Sequence, residues 1–333
     1  MDKMENTNRQ ATKEELKREK LLNKSLTMLP KSAQNNLGVL AIQKEHGVFF
    51  QGENKYLKIY SVKKGVLGSQ KQLFLDRLLD STMCRIRVSS FCKIKNEKLA
   101  AYTFLSVYFT ANSYAEAYRK INEFDLMLQE KICRELNIII TGCSIDTALM
   151  FMHMNCVGKM KQVEYSSVVS KKQNYKDAIL TDVKELENGE FETNDKHGVC
   201  FIGEYFSKEP VEINKIISGV EGNIQFSVDM QRISEDDWKI YNYQLSQKYN
   251  QHIEGVEKDI INITYLFAAL ADSPEEISKI KSQIIDRFGE QGILIIPCSG
   301  REKKIFNSIC SIGAVDFHSM RNADISFASS LIL

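Results

Sequence analysis

Two stretches of this chain carry the same succession of strand, helix and strand, and this repetition constrains the fold more than any other feature. In the first, Tyr102 to Thr110 is rich in aromatic and β-branched residues, which is typical of a strand. Ser113 and Glu116 follow with the spacing of a capping box, and apolar residues at helical spacing continue to Leu136. The stretch ends on NIIITGCS at Asn137 to Ser144, in which the apolar run Asn137 to Thr141 predicts a buried strand.

The second stretch lies near the other end of the chain. Ile263 to Asp272 is its predicted strand, and Ser273 and Glu276 form a second capping box. We expect Gly289 to end the helix in a left-handed conformation. Gly292 to Ser299 (GILIIPCS) then matches NIIITGCS, and both runs end in Cys-Ser. The two stretches together predict an internal duplication.

The remaining patterns extend both stretches to the order βαββαβ with one added helix. That is the order of ferredoxin-like folds, in which two helices pack on one face of an antiparallel sheet. HGVFFQGE at His46 to Glu53 returns as HGVCFIGE at His197 to Glu204, where each copy should begin. We therefore expect an α+β protein with two ferredoxin-like repeats in tandem and a helical insertion, Ser234 to Asp259, in the second. The expected segments are a polar tail that need not be ordered (1–30), the first repeat (31–160), a linker (161–176), the second repeat (177–315) and a strand-like carboxy-terminal segment (316–333).

The two ends of the chain have opposite character. Residues 1–24 are polar and predict a solvated or frayed helix, with a partner-docking helix as the sharper alternative. Ile325 to Leu333 (ISFASSLIL) is apolar, so we expect it to pair as an edge strand with the second repeat or to lie exposed. In either case, trimming it should leave the fold intact and reduce self-association.

Charge and cysteine usage limit the classes of function. A formal net charge of +1 gives no global field to attract nucleic acid or an anionic membrane. The eight cysteines include no C-x-x-C pair, which indicates a reducing compartment without a disulfide framework. The amino terminus is charged and does not resemble a signal peptide. We expect a cytoplasmic protein, either free or peripherally attached at the inner face of the cell membrane.

Two glycine pairs have the spacing of a phosphate-binding loop without its lysine. Gly47 and Gly52 are followed by Glu53, and Gly198 and Gly203 by Glu204, where a lysine would have to meet the phosphates. A carboxylate would repel phosphate at that position. We therefore expect the chain neither to bind nor to hydrolyse ATP at these loops.

No other pattern predicts a catalytic or metal site. The histidines lack H-E-x-x-H spacing, and His153 lies in an apolar run typical of a core. Cys143 and Cys298 end corresponding strands but have no paired histidine and aspartate, so a structural role is favoured. The acids at 235–237 are typical of the first turn of a helix, where negative charge is favourable beside the helix dipole. The basic cluster at 301–304 is typical of a solvated helix face. The sequence predicts no enzyme, no catalytic, cofactor-binding or metal residue, and no cofactor.

A ferredoxin-like sheet can also bind RNA by stacking bases on exposed aromatic side chains. The two strands that would carry them offer only Phe91 and Phe226, and the K/R-G-F-G-F-V-x-F signature is missing. Nucleic-acid binding is therefore the alternative function, behind the one that follows.

Several motifs resemble the amino-terminal region of the conjugation ATPases, the cytoplasmic motors of conjugative transfer and type IV secretion systems. That region opens with L-P-K-S-x-Q, similar to Leu29 to Gln34, and has a D-G-[IV] strand, similar to His46 to Val48 with histidine for aspartate. It has an Ile-rich strand followed by a helix, similar to Asn137 to Cys156. Its F-x-S-x-x-P-L-G ending is similar to Phe306 to Gly313, with serine and isoleucine for proline and leucine, and Arg321 matches a downstream arginine.

The resemblance implies a docking role. In that family an ATPase domain follows this region, and no phosphate-binding loop occurs in this sequence, so the family's catalytic residues have no positions here. Whether the chain is an excised domain or a relative without a motor stays open. We expect a non-catalytic interaction domain that binds inner-membrane and cytoplasmic subunits of a secretion or conjugation complex. Self-association is a further expectation, and nucleic acid is not an expected partner.

Overall fold

The protein is described by a computed structural model. It covers residues 13–31, 34, 38–64, 70–82, 85–95, 98–164, 166, 179, 181–206, 209–220, 222–249, 259–310 and 320–332. The fold is mixed α+β, with one large sheet whose strand pairs are all antiparallel, so the predicted fold class is confirmed at this level. Most of the expected linker, including residues 167–176, lies outside the described residues.

The strands and helices have the following bounds. The strands are β1 (Thr27–Met28), β2 (Ala41–Gln43), β3 (Val48–Gly52), β4 (Lys55–Lys64), β5 (Ile86–Lys95), β6 (Lys98–Thr110), β7 (Ile139–Gly142), β8 (Lys184–Glu185), β9 (Glu190–Glu192), β10 (His197–Tyr205), β11 (Gly222–Arg232), β12 (Ile260–Ala271), β13 (Leu294–Pro297) and β14 (Arg321–Asp324). The helices are α1 (Lys13–Lys24), α2 (Gln70–Thr82), α3 (Tyr114–Met127), α4 (Ile145–Val157), α5 (Ile213–Ser218), α6 (Glu235–Tyr249), α7 (Pro274–Glu290), α8 (Glu302–Cys310) and α9 (Ile325–Ser330). Helix α3 continues through a π-helical stretch, Leu128–Cys133, and a last turn, Arg134–Leu136.

The sheet runs without interruption through both halves of the chain. Its order is β1-β2-β3-β4-β6-β5-β11-β12-β10-β9-β8, with β7 on β4, β13 on β10 and β14 on β12. The first half thus contributes neighbours in the order β7-β4-β6-β5, and the second contributes β13-β10-β12-β11. Strands β5 and β11 join the halves in a register from Ile94 opposite Gly222 to Ile86 opposite Met230.

Each face of the sheet is covered by helices. Ile224, Phe226 and Val228 of β11 point to one face, here called the front, where α2, α3, α5, α7 and α9 contribute apolar side chains to the main core. The back face carries two smaller clusters, one with α4 and one with α8. Because side chains alternate along a strand, Gln225, Ser227 and Asp229 point to the back face. These three polar side chains are buried along the seam between the halves.

Both predicted capping boxes are present. Ser113 Oγ accepts the Glu116 N–H at 3.2 Å, and Ser273 Oγ accepts the Glu276 N–H at 3.2 Å. In each case the glutamate carboxylate accepts the N–H of the residue before the serine, at 2.9 Å in the first half and 3.1 Å in the second. The starts of α3 and α7 are therefore built alike.

Alanine at either capping serine should lower the free energy of unfolding by about 1 kcal/mol, because one amide at the helix start loses its acceptor. Ser113→Ala and Ser273→Ala can be compared by urea denaturation. The control is Ser278→Ala, on the exposed surface of α7, which should be neutral or slightly stabilising. A change at Ser113 or Ser273 no larger than the control would contradict the capping role.

The predicted left-handed residue at the end of α7 is wrong. Gly289 lies inside the helix, which continues to Glu290, and the left-handed residue is Gly292 with φ of 71°. Asn137, which corresponds to Gly292 in the matched run, is left-handed at the end of the first long helix, with φ of 53°. A left-handed residue is required where the chain turns back into the next strand, and only one of the two glycines lies there.

The solvated helix predicted for residues 1–24 is present in its described part, whereas the prediction for the carboxy-terminal end needs correction. The described part of the polar tail is ordered, as α1 and β1, and Asn23 Oδ1 accepts the Ala115 N–H at 3.1 Å. At the other end, the predicted strand at 325–333 is wrong for 325–330, which form α9, while β14 precedes it. Asp324 Oδ1 caps this helix by accepting the Ser326 N–H at 2.9 Å. The apolar residues of α9, which were predicted to form a strand, are buried against α2.

Candidate functional site

The two cysteines at matching strand ends have thiols that favour the protonated form. Cys143 and Cys298 follow β7 and β13, which lie at opposite ends of the sheet. The pKa of each thiol is raised to about 12, mainly because the thiol is buried. Both therefore remain protonated at neutral pH, and a protonated thiol is a poor nucleophile. Ser144, beside Cys143, caps α4 by accepting the Thr147 N–H at 3.2 Å.

Turn geometry and close packing account for the two glycine pairs. Gly47 has a φ of 66°, and a Cβ there would lie 2.4 Å from the Cys143 carbonyl oxygen. A Cβ at Gly198 would lie 2.2 Å from the Phe191 ring. Glu53 turns the chain between β3 and β4, and Glu204 forms an ion pair with Arg321.

The other polar residues considered as candidate sites are accounted for by their positions in helices. The acids at 235–237 lie in the first turn of α6, where Ser234 Oγ accepts the Asp237 N–H at 3.1 Å. His153 is buried in α4, while Lys303 and Lys304 are exposed on α8. His252 and His318 lie outside the described residues.

A histidine and two tyrosines form a cluster that the sequence patterns did not indicate. His46 Nδ1 lies 2.7 Å from the Tyr114 hydroxyl, and its ring is 4.3 Å from that of Tyr118. Burial lowers the pKa of His46, which favours the neutral ring. The contacts attach the turn before β3 to the first turns of α3.

Both aromatic residues considered for base stacking are inaccessible. Phe91 is 3% exposed on the back face, and Phe226 is 0% exposed on the front face. Each lies under helices, since the sheet is covered on both sides.

A groove of about 750 Å³ opens at one end of the seam between the halves. Its walls come from the ends of β5 and β12, the start of β11, the residues after α4 and α5, and the first turns of α7. Four lysines line it, here called the groove lysines: Lys93, Lys159, Lys196 and Lys279. The residues lie far apart in sequence, so no local motif could have indicated the site.

The charges in the groove are unequally compensated. Asp272 forms an ion pair with Lys196, and the pKa of Asp272 is lowered by that hydrogen bond, by the Lys196 charge and, to a smaller extent, by Lys159. Glu276 accepts the Asp272 N–H at 3.1 Å. Among the described residues, the ion pair seen for a groove lysine side chain is that of Lys196 with Asp272. The groove thus presents excess positive charge.

A second exposed feature lies at the outer edge of the second half, here called the β13 edge: Tyr205, Leu294 and Ile296. Within the described chain, β13 pairs only with β10, and Tyr205 stands opposite Leu294. The three side chains are 64%, 53% and 41% exposed. A buried strand was predicted for Asn137 to Thr141, but there and in the matching β13 only alternate residues are buried. Within the described residues, Leu294 and Ile296 lie on a face of β13 that stays exposed.

Among the residues that the structure describes, no group of three or more His, Cys, Asp or Glu side chains is placed to hold a metal ion. Within the same residues, no helix has the length and apolar character needed to cross a membrane.

Comparison with known proteins shows no family. No protein-family profile matches the chain, and no curated protein matches it. An aclacinomycin oxidoreductase structure is similar at 7% identity and a TM-score of 0.32, covering 73% of this chain and 42% of that one. A Fusobacterium nucleatum subsp. nucleatum structure described as a monooxygenase is similar at 10% identity and a TM-score of 0.17, covering 73% of this chain and 90% of that one. The chain spans less than half the length of the first, and such low TM-scores carry no argument about function.

Proposed function

We propose that the chain is a non-catalytic interaction domain of a conjugative transfer or type IV secretion apparatus, and that it contacts another subunit through the β13 edge. The motifs at Leu29 to Gln34 and Phe306 to Gly313 support the assignment to such an apparatus by resemblance. The exposed apolar edge strand is the observation that carries the interaction. Location at the inner face of the cell membrane is part of the same proposal.

The proposal includes two ferredoxin-like copies. The strand neighbours β7-β4-β6-β5 and β13-β10-β12-β11 occupy corresponding places in the two halves. The capping serines and the left-handed residues Asn137 and Gly292 also correspond. A duplicated unit of this kind has two outer edge strands, and in this proposal one of them binds a partner.

The two outer edges differ in their side chains, which favours the second as the contact. In the matched runs, Ile139 corresponds to Leu294 and Thr141 to Ile296. The β7 edge thus carries one exposed isoleucine, whereas the β13 edge carries two aliphatic residues and Tyr205. An edge strand has unpaired backbone groups, and apolar side chains beside them favour the addition of a partner strand.

A photocrosslinker placed in cells that carry a conjugative transfer system tests the proposal. p-Benzoylphenylalanine at Ile296 should form adducts with a subunit of the transfer apparatus, identified by mass spectrometry. The same group at Thr141 is the matched control and should give none. Adding Leu294→Lys should remove the adducts at 296, because a charge then replaces the apolar contact. Equal labelling at both positions, or adducts at 296 only with unrelated proteins or a second copy, would contradict the proposal.

Single-stranded DNA or RNA should bind weakly and with steep salt dependence. The physical reason is that Phe91 and Phe226, the aromatic side chains considered for base stacking, are buried and that the net charge is near neutral. Fluorescence anisotropy of labelled oligonucleotides across a salt series measures this. Submicromolar affinity that persists at about 150 mM salt would instead support the nucleic-acid-binding alternative.

A further inference from the structure

The groove at the seam collects positive charge from both halves of the molecule. Lys93 stands near the end of β5, and Lys159 follows the last turn of α4. Lys196 directly precedes β10, and Lys279 is in the second turn of α7. Like charges held around one space repel each other, so such an arrangement is favourable when an anion lies between them.

Solvation of ordinary surface lysines is the simpler explanation and accounts for part of the group. Lys159 follows the carboxy-terminal end of α4, where a cation is favourable beside the helix dipole. Lys196 is paired with Asp272. Lys93 and Lys279 are exposed as well, but the helix dipole gives neither an advantage, since Lys93 is on a strand and Lys279 is in the amino-terminal half of a helix.

The shape of the groove suits a compact ligand. Gly158, Gly219 and Gly222 line its walls, so no side chain projects from those positions. A Cβ at Gly158 would lie 2.6 Å from the Asn223 side-chain nitrogen, which indicates a close fit between the end of α4 and β11. A volume of about 750 Å³ lies within the range of small-molecule sites.

The side chains indicate the chemical class of that ligand. Among the described residues that line the groove none is aromatic, so a nucleobase would find no stacking partner among them. Lysine ammonium groups bind phosphate and carboxylate oxygens as point charges without the planar fork of arginine. Among the described lining residues, four lysines face two carboxylates, Asp272 and Glu276, and Asp272 is paired with Lys196. The lysines thus exceed the carboxylates by two charges, which favours an incoming anion.

We propose that the groove binds a small polyanion whose phosphate or carboxylate groups bridge groove lysines of the two halves. This site is separate from the β13 edge and does not depend on the proposed function. Because the ligand would contact both halves of the folded protein and not the unfolded chain, its binding raises the free energy of unfolding.

Isothermal titration of the whole chain with tripolyphosphate and with citrate, each at constant ionic strength, tests the proposal. Saturable binding of at least one is expected, and the triple variant Lys93→Gln, Lys159→Gln, Lys279→Gln should weaken it at least tenfold. The matched control replaces three exposed lysines elsewhere with glutamine (Lys17, Lys303 and Lys304) and should bind as the unaltered protein does. Binding of tripolyphosphate alone assigns a phosphate ligand, binding of citrate alone a carboxylate ligand, and equal binding a site selective for charge.

Hydrogen exchange gives a local measurement for the same ligands. Saturating ligand should slow amide exchange around Gly158 and Gly222 and leave the β13 edge unchanged. The proposal is overturned if neither anion binds saturably, if the control variant loses affinity as much as the triple variant, or if protection does not include the groove. A failure of the crosslinking experiment at Ile296 leaves these outcomes unaffected.

Discussion

Replacing Asp229 with alanine is expected to lower the free energy of unfolding by about 3–5 kcal/mol or to prevent folding. Asp229 is buried on the back face and accepts hydrogen bonds from Arg87 Nε at 3.0 Å and Nη2 at 2.8 Å. Arg85 makes a further ion pair with it at 2.7 Å. The variant leaves the Arg87 guanidinium, which is also buried, without its carboxylate at the seam between β5 and β11.

Chemical denaturation with matched variants measures the effect. Asp80→Ala removes a more exposed partner of Arg232, and its cost should stay below about 1 kcal/mol. The double variant Arg87→Met, Asp229→Leu should be less destabilised than Asp229→Ala, because it removes both charges of the pair and leaves apolar groups of similar volume. A cost at Asp229 equal to that at Asp80 would show that the buried pair does not hold the seam.

The same carboxylate should make stability depend on acid pH. Burial raises the pKa of Asp229, but the charges of Arg87 and Arg85 and their hydrogen bonds outweigh it, so the folded-state pKa lies below the ordinary 3.8. The unfolded chain therefore binds the proton more readily, and the stabilisation is fully present above about pH 4. It is lost as the pH falls through the folded-state pKa. Unfolding free energies measured down that range should show the decline.

Removal of residues 325–332 is expected to abolish folding. The sequence alone led to the opposite expectation, that trimming this apolar segment would leave the fold intact. Ile325, Phe327 and Leu331 are buried in the main core. The segment also makes hydrogen bonds with distant elements. Ser330 Oγ accepts a hydrogen bond from the Val211 N–H at 3.0 Å, and the Ile332 carbonyl oxygen accepts one from the Lys71 ammonium group at 2.6 Å. The truncated protein would leave the facing side of α2 exposed.

A point variant makes this test quantitative. Phe327→Ala should cost about 3–5 kcal/mol, because it removes a buried ring and leaves a cavity. Met28→Ala, at an exposed position, is the control and should change stability by less than about 0.5 kcal/mol. Thermal unfolding followed by circular dichroism measures both. A truncated protein that unfolds as cooperatively as the full chain would show that α9 is peripheral.

The sequence by itself determined the features that depend on neighbouring residues. Ser113 and Ser273 could be recognised as helix starts because each capping hydrogen bond spans only three residues. The order of the longer strands and helices within each half followed from apolar periodicity for the same reason, whereas β8, β9, β14 and α9 did not. Even locally the sequence left a choice, because Gly289 and Gly292 are both glycines near the end of a helix, where a left-handed residue is common. The left-handed residue is Gly292, because the chain turns there into β13.

The tertiary structure alone decided which strands meet and which surfaces stay open. Arg87 and Asp229 are 142 residues apart, and the pattern of β5 would have allowed pairing with several strands. The groove lysines come together only once β5 and β11 join. Leu294 and Ile296 are exposed because no helix among the described residues covers that face of β13, a fact that their apolar side chains cannot reveal. Short-range hydrogen bonds are fixed by residue type, whereas long-range pairing depends on how the whole core is buried.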